Sequence, residues 1–230
     1  MERYQVASRP YSASAESAND ILWVTYRWMS VGLALTGMIA WLVAHSPGAL
    51  SVFVENRIVF YGLMFAQLGL VFAFSGLVTR VSTFAAAAMF FSYAALTGIT
   101  FSVLFLVYTA GSIASTFFIT AGTFAGLSVF GAVTKRDLSA VGRFAIFAVI
   151  GLIISSVVNI FLQSSALMWL TTFAGILIFA ALTAYDTQQL KEMYRTEGYA
   201  RNLALRGALK LYLDFINMFL FLLNLFGRRR

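Results

Sequence analysis

Apolar residues along this chain come in long unbroken runs, not in the alternating or three-and-four spacing of a half-buried element in a soluble fold. A helix needs about 20 such residues to cross a hydrocarbon core roughly 30 Å thick, so the runs can be counted in that unit. Between Arg27 and Glu55 the one ionisable side chain is His45, and the stretch from Trp28 to Ala44 predicts a first span. Ser46-Pro47-Gly48 turns the chain. The run from Ile58 to Val78, bounded by Arg57 and Arg80, predicts a second span. From Val81 to Thr134 there is no charge, which is too long for one helix. A turn at Tyr108-Thr109-Ala110-Gly111-Ser112 divides it into a third span near Phe84 to Val107 and a fourth near Ile113 to Val133. The uncharged run from Phe144 to Tyr185 divides in the same way at Gln163-Ser164-Ser165, giving spans five and six. A polar stretch, Asp186 to Arg206, then separates these six from a last apolar segment, Gly207 to Phe226.

The first 20 residues are polar and mixed in charge, and no apolar run follows a short basic leader as a cleavable signal requires. They predict a flexible tail, residues 1–20, ahead of a single transmembrane domain over residues 21–230, with Asp20 capping the first helix. Small residues favour close helix approach in lipid. Gly122 with Gly126, and Ala94 with Gly98, are therefore expected at helix contacts.

Lys and Arg set orientation, because cytoplasmic connections collect them. Arg3, Arg9 and Arg27 lie in or beside the tail, Arg80 follows span two, Lys135, Arg136 and Arg143 follow span four, and Lys191, Arg195, Arg201, Arg206 and Lys210 follow span six. All fall on one side, against Arg57 alone on the other, which predicts a cytoplasmic N-terminus. The last segment carries Asp214, Asn217 and Asn224 and precedes Arg228, Arg229 and Arg230. Its polar stripe needs protein around it, so it is expected as a central seventh helix wrapped by the other six, in an all-α membrane protein.

Composition sharpens this picture. Only 11% of the residues are charged, where a soluble domain has about a quarter. The absence of cysteine removes disulfides, thiol nucleophiles and thiolate metal sites. The net charge of +7 reads as a topology signal, so nucleic acid is not expected as a partner. HExxH, GxSxG, GxxxxGK[ST] and GxGxxG are all missing. His45, at a loop edge, is a poor candidate for a buried catalytic base, and neither an enzyme nor a resident cofactor is expected.

What remains is two acids at apolar positions. Asp186 closes the run from Ile176 to Tyr185, and Asp214 lies within Leu211-Tyr212-Leu213-Asp214-Phe215-Ile216-Asn217. A carboxylate deep in a transmembrane helix costs roughly 2.5 to 3.5 kcal/mol on insertion scales, so such residues are usually paired or line a water path. Both are expected near the cytoplasmic ends of their helices, at one depth. If they meet they titrate as a pair, since like charges and poor solvation both oppose full ionisation. Arg80 is expected at the matching depth, where it can clamp one carboxylate. Lys210 is four residues before Asp214 and offers it a local ion pair instead. Asn217 and Asn224 extend the stripe, and Gln67 in span two is the other polar side chain at depth; all three are candidate pore-lining residues, with an interhelical hydrogen bond the alternative for Gln67. Carboxylates and carboxamides are hard oxygen ligands, suited to transient contact of Ca²⁺ with Asp186 and Asp214.

The runs Ala184-Tyr185-Asp186-Thr187-Gln188-Gln189 and Leu211-Tyr212-Leu213-Asp214-Phe215-Ile216-Asn217, with Thr134-Lys135-Arg136-Asp137-Leu138-Ser139, resemble the Bax inhibitor 1 family in its bacterial branch. The resemblance covers the chain from about Tyr26 to Gly227. It implies seven helices with the last enclosed by the others, in a bacterial inner membrane, and a pH-dependent calcium leak. It also implies a paired-aspartate sensor, carried here by Asp186 and Asp214, and an arginine latch after the second helix, carried by Arg80. Protons and Ca²⁺ as permeant ion are then the small partners. A role attached to bacterial relatives, binding and modulating a membrane protease, is the alternative reading. An intramembrane aspartyl protease also uses two aspartates, one after tyrosine as in Tyr185-Asp186, but its Gly-x-Gly-Asp partner has no counterpart at Leu213-Asp214.

Overall fold

A computed structural model describes residues 15–197 and 202–230. Among them seven helices are long and apolar enough to cross a membrane. They are α1 (Ala15–Ala44), α2 (Arg57–Leu77), α3 (Thr83–Phe101), α4 (Ala110–Val133), α5 (Ser139–Leu162), α6 (Ser165–Glu197) and α7 (Leu203–Phe226). A short helical turn at Leu104–Val107 prolongs α3, and two more, Pro47–Leu50 and the π-turn Ser51–Glu55, fill the α1–α2 connection.

The turn signals in the sequence act as helix caps. Ser46 Oγ accepts from Ala49 N with Pro47 in the first turn, and Thr109 Oγ1 accepts from Ser112 N at 3.3 Å. Gln163 closes α5 in the left-handed region at φ 49°, and Ser164 Oγ accepts from Leu167 N in the first turn of α6. Such caps answer the backbone donors left over at each helix start, which lipid cannot satisfy. The apolar side chains then point outward: Ile58, Phe72, Phe84 and Phe161 each expose three quarters or more of their surface.

Three boundaries differ from the sequence reading. The flexible tail expected over residues 1–20 falls largely outside the described residues, but α1 begins at Ala15, so Asp20 lies inside the helix and does not cap it. The polar stretch after Tyr185 is not a connection: α6 continues to Glu197, because Leu190 and Tyr194 keep one face buried against Ile21, Leu22 and Leu203. The last helix starts at Leu203. Asp186 is thereby placed about 16 Å inside the end of α6, and Asp214 about 16 Å beyond the start of α7.

The last helix crosses the whole bundle. At its start, Asn202 Nδ2 donates to the carbonyls of Val78 at 2.7 Å and Val81 at 3.1 Å, in the α2–α3 connection. At its end, Thr109 N donates to Arg228 O at 3.1 Å and Arg230 N to Val107 O at 2.9 Å, in the connection at the other end of α3. It is the most enclosed of the seven. It packs against α6, α1 and α4 and more lightly against α3, whereas α2 packs chiefly on α3 and α5 on α6. The wrap expected from the sequence is therefore incomplete, and one face of α7 borders a groove.

Glycine contacts divide the two expected small-residue pairs. A Cβ on Gly98 would strike Ile39 and the Thr36 carbonyl of α1, so this pair packs as expected. Gly122 and Gly126 face open space. The close approach of α4 is made instead by Gly131, where a Cβ would run into the backbone of Ala184 on α6. That contact fixes the helix turn carrying Asp186.

Candidate functional site: a carboxylate pair and an ammonium between two cavities

Asp186 and Asp214 are each only 4% exposed. Their helices pack against each other in the core and bring the two carboxyl groups into proximity. The sequence reading set both near the cytoplasmic ends of their helices; each lies about three turns inside. Lys210, one turn before Asp214, does not turn down to it. Its Nζ lies 2.7 Å from Asp186 Oδ1, donates to Gln189 Oε1 at 2.6 Å, and stands 5.3 Å from the centre of the Tyr185 ring. The ammonium thus ties α7 to α6. The carboxylate end of this ion pair is buried, and the lysine is 44% exposed. Asp214 Oδ2 is buried without a hydrogen-bond partner among the described residues.

Two cavities border this cluster. A smaller one, about 230 Å³, lies between α2, α6 and α7 and reaches Met193, Leu203 and Arg206 toward the basic face. A longer one, about 700 Å³, runs between α5, α6 and α7 past Asp214 and Asn217 to Ile160 and Phe221. Asp186, Lys210 and Leu213 line both. The ion pair therefore borders both the space on the basic-face side and the groove along α5.

The remaining candidates separate cleanly. Asn217 donates its Nδ2 to Leu213 O at 2.8 Å and borders the long groove. Asn224 does not line it; its Nδ2 donates to Thr172 Oγ1 at 2.7 Å and holds α7 to α6. Gln67 also belongs to helix packing, since its Oε1 accepts from Thr97 Oγ1 and its Nε2 donates to Thr100 Oγ1, both at 3.4 Å. Arg80 is exposed in the α2–α3 connection and makes no ion pair among the described residues; the place expected for it at Asp186 is taken by Lys210. His45 is exposed, with Nδ1 2.8 Å from Trp41 O. No group of three or more His, Cys, Asp or Glu side chains forms a metal cluster among the described residues.

Sequence reasoning missed Lys210 as a partner across helices, together with Gln189 and Tyr185. It also missed the anchor of α7, Tyr212, whose hydroxyl is 2.6 Å from Thr36 Oγ1 in the fully buried core. The available signal was Lys210 itself, a cation one turn from an intramembrane acid.

A family model described as inhibitor of apoptosis-promoting Bax1 matches residues 18–230, which takes in every helix from α1 to α7. The chain belongs to the Bax inhibitor family. Its similarity to bacterial proteins is extensive: it is 48% identical to the inner membrane protein YbhL of Escherichia coli K12 over 89% of this chain and 90% of that one. It is 47% identical to a protein of Deinococcus radiodurans over 89% of each chain, and 33% identical to an uncharacterized membrane protein of Streptococcus pyogenes serotype M3 over 95% of this chain and 96% of that one. This Bax inhibitor-family chain is an integral membrane protein, and the aspartate pair is buried within its helix bundle.

Proposed function

We propose that this protein is a pH-sensitive calcium leak of a bacterial inner membrane, with its N-terminus cytoplasmic and its gate at Asp186, Asp214 and Lys210. The observation that carries the reading is the position of the Asp186–Lys210 ion pair, whose two residues line both cavities. The name of the Escherichia coli relative and the Lys and Arg on one face support the location and orientation.

Two adjoining carboxyl groups shielded from bulk water hold a proton between them more readily than two separate ones. When the pair is ionised, Asp186 holds Lys210 and the gate is closed. A proton arriving on the pair neutralises Asp186, and the ammonium loses its partner. Because Lys210 already reaches the smaller cavity, its flexible stem can withdraw toward water. The groove then offers a passing cation carboxyl and carboxamide oxygens from Asp214 and Asn217, the ligand type Ca²⁺ takes. Flux therefore rises as pH falls.

The same two acids fit an aspartyl protease less well. That chemistry needs both carboxyls around one water, and here Lys210 engages one of them. The test is purified protein in liposomes loaded with a calcium dye. Calcium entry that rises on acidification supports the reading, and no entry above protein-free liposomes at any pH overturns it.

A further inference from the structure

We infer that the Lys210 ammonium is a tethered stand-in for a metal ion: it occupies the position at the Asp186–Asp214 pair that a divalent cation would take, and so keeps the pair's affinity for such ions low. The inference deepens the leak reading and rests on it for the identity of the ion, but the binding it describes needs no flux to be measured.

Three features of the cluster lead here. The ammonium is held by oxygen acceptors only, Asp186 Oδ1 at 2.7 Å and Gln189 Oε1 at 2.6 Å, which is the donor set a hard cation takes. The shell has unused capacity, since the buried Asp214 Oδ2 has no partner among the described residues and the side chain borders the same groove. Asn217 adds to it: its amide nitrogen is engaged by Leu213 O, and its side chain faces that groove. One monovalent group with three donors therefore sits in a site that holds four carboxylate oxygens and borders two amide oxygens. Ca²⁺ and Mn²⁺ carry twice the charge, and Ca²⁺ takes 6–8 oxygen ligands.

The charges balance in the same sense. With the pair ionised, Lys210 leaves the cluster one negative charge, and its removal leaves two. The other cation bordering these cavities, Arg206, lines only the smaller one and makes no ion pair among the described residues. Partial exposure of Lys210 and the nearby Tyr185 ring give the ammonium another resting place when an ion arrives.

The experiment measures Mn²⁺ binding to the detergent-purified full chain at pH 8, from the loss of the free-ion electron paramagnetic resonance signal. Lys210→Met is expected to bind Mn²⁺ at least tenfold more tightly than the unchanged protein, and Lys210→Met/Asp214→Asn to lose that gain. Lys210→Arg, which keeps the charge, is expected to match the unchanged protein. Affinity of Lys210→Met within twofold of the unchanged protein overturns the inference, as does a gain that survives Asp214→Asn. If Lys210→Met does not elute as a single gel-filtration peak, Lys210→Gln carries the test, because it removes the ammonium while keeping a hydrogen-bonding end and leaves every oxygen of the site in place. About a threefold gain then supports the inference and no gain overturns it. Binding gained without calcium flux in liposomes removes the leak reading alone; flux without gained binding removes this inference alone.

Discussion

Lys210 on α7 reaches Asp186 on α6 across 2.7 Å, although Asp214 lies one turn further along its own helix. A lysine at i and an aspartate at i+4 make a pair worth a few tenths of a kcal/mol on an exposed helix. Here the long stem spans the interhelical gap, and Gln189 and Tyr185 on α6 complete its seat. The bond joins the most enclosed helix to the one carrying the second acid, so anything that breaks it loosens both.

Lys210→Met leaves the buried Asp186 carboxylate without its cation. Breaking a buried pair costs about 3–5 kcal/mol, and the half-exposed lysine discounts this to about 2. The expected outcome is a lower melting midpoint in detergent at pH 8, recovered in Lys210→Met/Asp186→Asn, where no unpaired charge remains. Equal midpoints for the single variant and the unchanged protein would show that the pair contributes nothing.

Gly131→Ala should prevent stable folding or lower the melting midpoint by more than any surface change, since its Cβ meets the Ala184 backbone, which has no rotamer to yield. Overpacking of this kind costs about 1–3 kcal/mol or more. Gly122→Ala, on the same helix but facing open space, is the matched control and should leave the midpoint unchanged or slightly raised.

Tyr212→Phe removes a buried hydroxyl from Thr36, which keeps its donation to Ala94 O at 2.9 Å. The expected loss is about 1 kcal/mol. Tyr212→Ala also empties a packed volume beside Phe90 and Tyr93, and should cost about 3–5 kcal/mol. Thermal shift of the two variants side by side separates the hydrogen bond from the packing.

Outside the membrane, Asp137 Oδ1 accepts from Ser139 N at 2.8 Å at the start of α5, and the side-chain and backbone hydrogen bonds from Ser139 hold its carboxyl below the usual value of 3.8. A depressed value means that the folded state favours the ionised form. Its contribution is complete above the usual value and is lost as pH falls through the folded one. Asp137→Ala should therefore lower the melting midpoint at pH 7 and make no difference at the acid limit where both forms are protonated. A difference that persists there would point to packing instead.

Much of this was legible in the sequence. Spans show because lipid demands unbroken apolar runs, and the turns show because Thr109, Gln163 and Ser164 carry cap chemistry. The end of α6 was hidden for a physical reason. Past Asp186 the helix leaves the apolar pattern that marked it and is held by one buried stripe, Leu190 and Tyr194, against residues far away in sequence. The pairing of Asp186 with Asp214 followed from shared depth alone. The choice of Lys210 over Arg80 did not, because the length of the last helix was misjudged: the connection carrying Arg80 is bound to Asn202 at the start of α7, about 16 Å along the helix from Asp214. Gln67 and Asn224 look like lining groups in sequence, and hydroxyls on neighbouring helices, Thr97, Thr100 and Thr172, claim them instead.

The central claim is that protonation of the aspartate pair opens the gate made by Asp186 and Lys210. Calcium entry into dye-loaded liposomes, measured at pH 6 and pH 8 for the unchanged protein and for Asp186→Asn, tests it most directly. The account predicts about tenfold faster entry at pH 6 for the unchanged protein. It predicts fast entry at both values for Asp186→Asn, whose neutral amide cannot hold the ammonium at either pH. An Asp186→Asn protein that keeps the full pH dependence would contradict it.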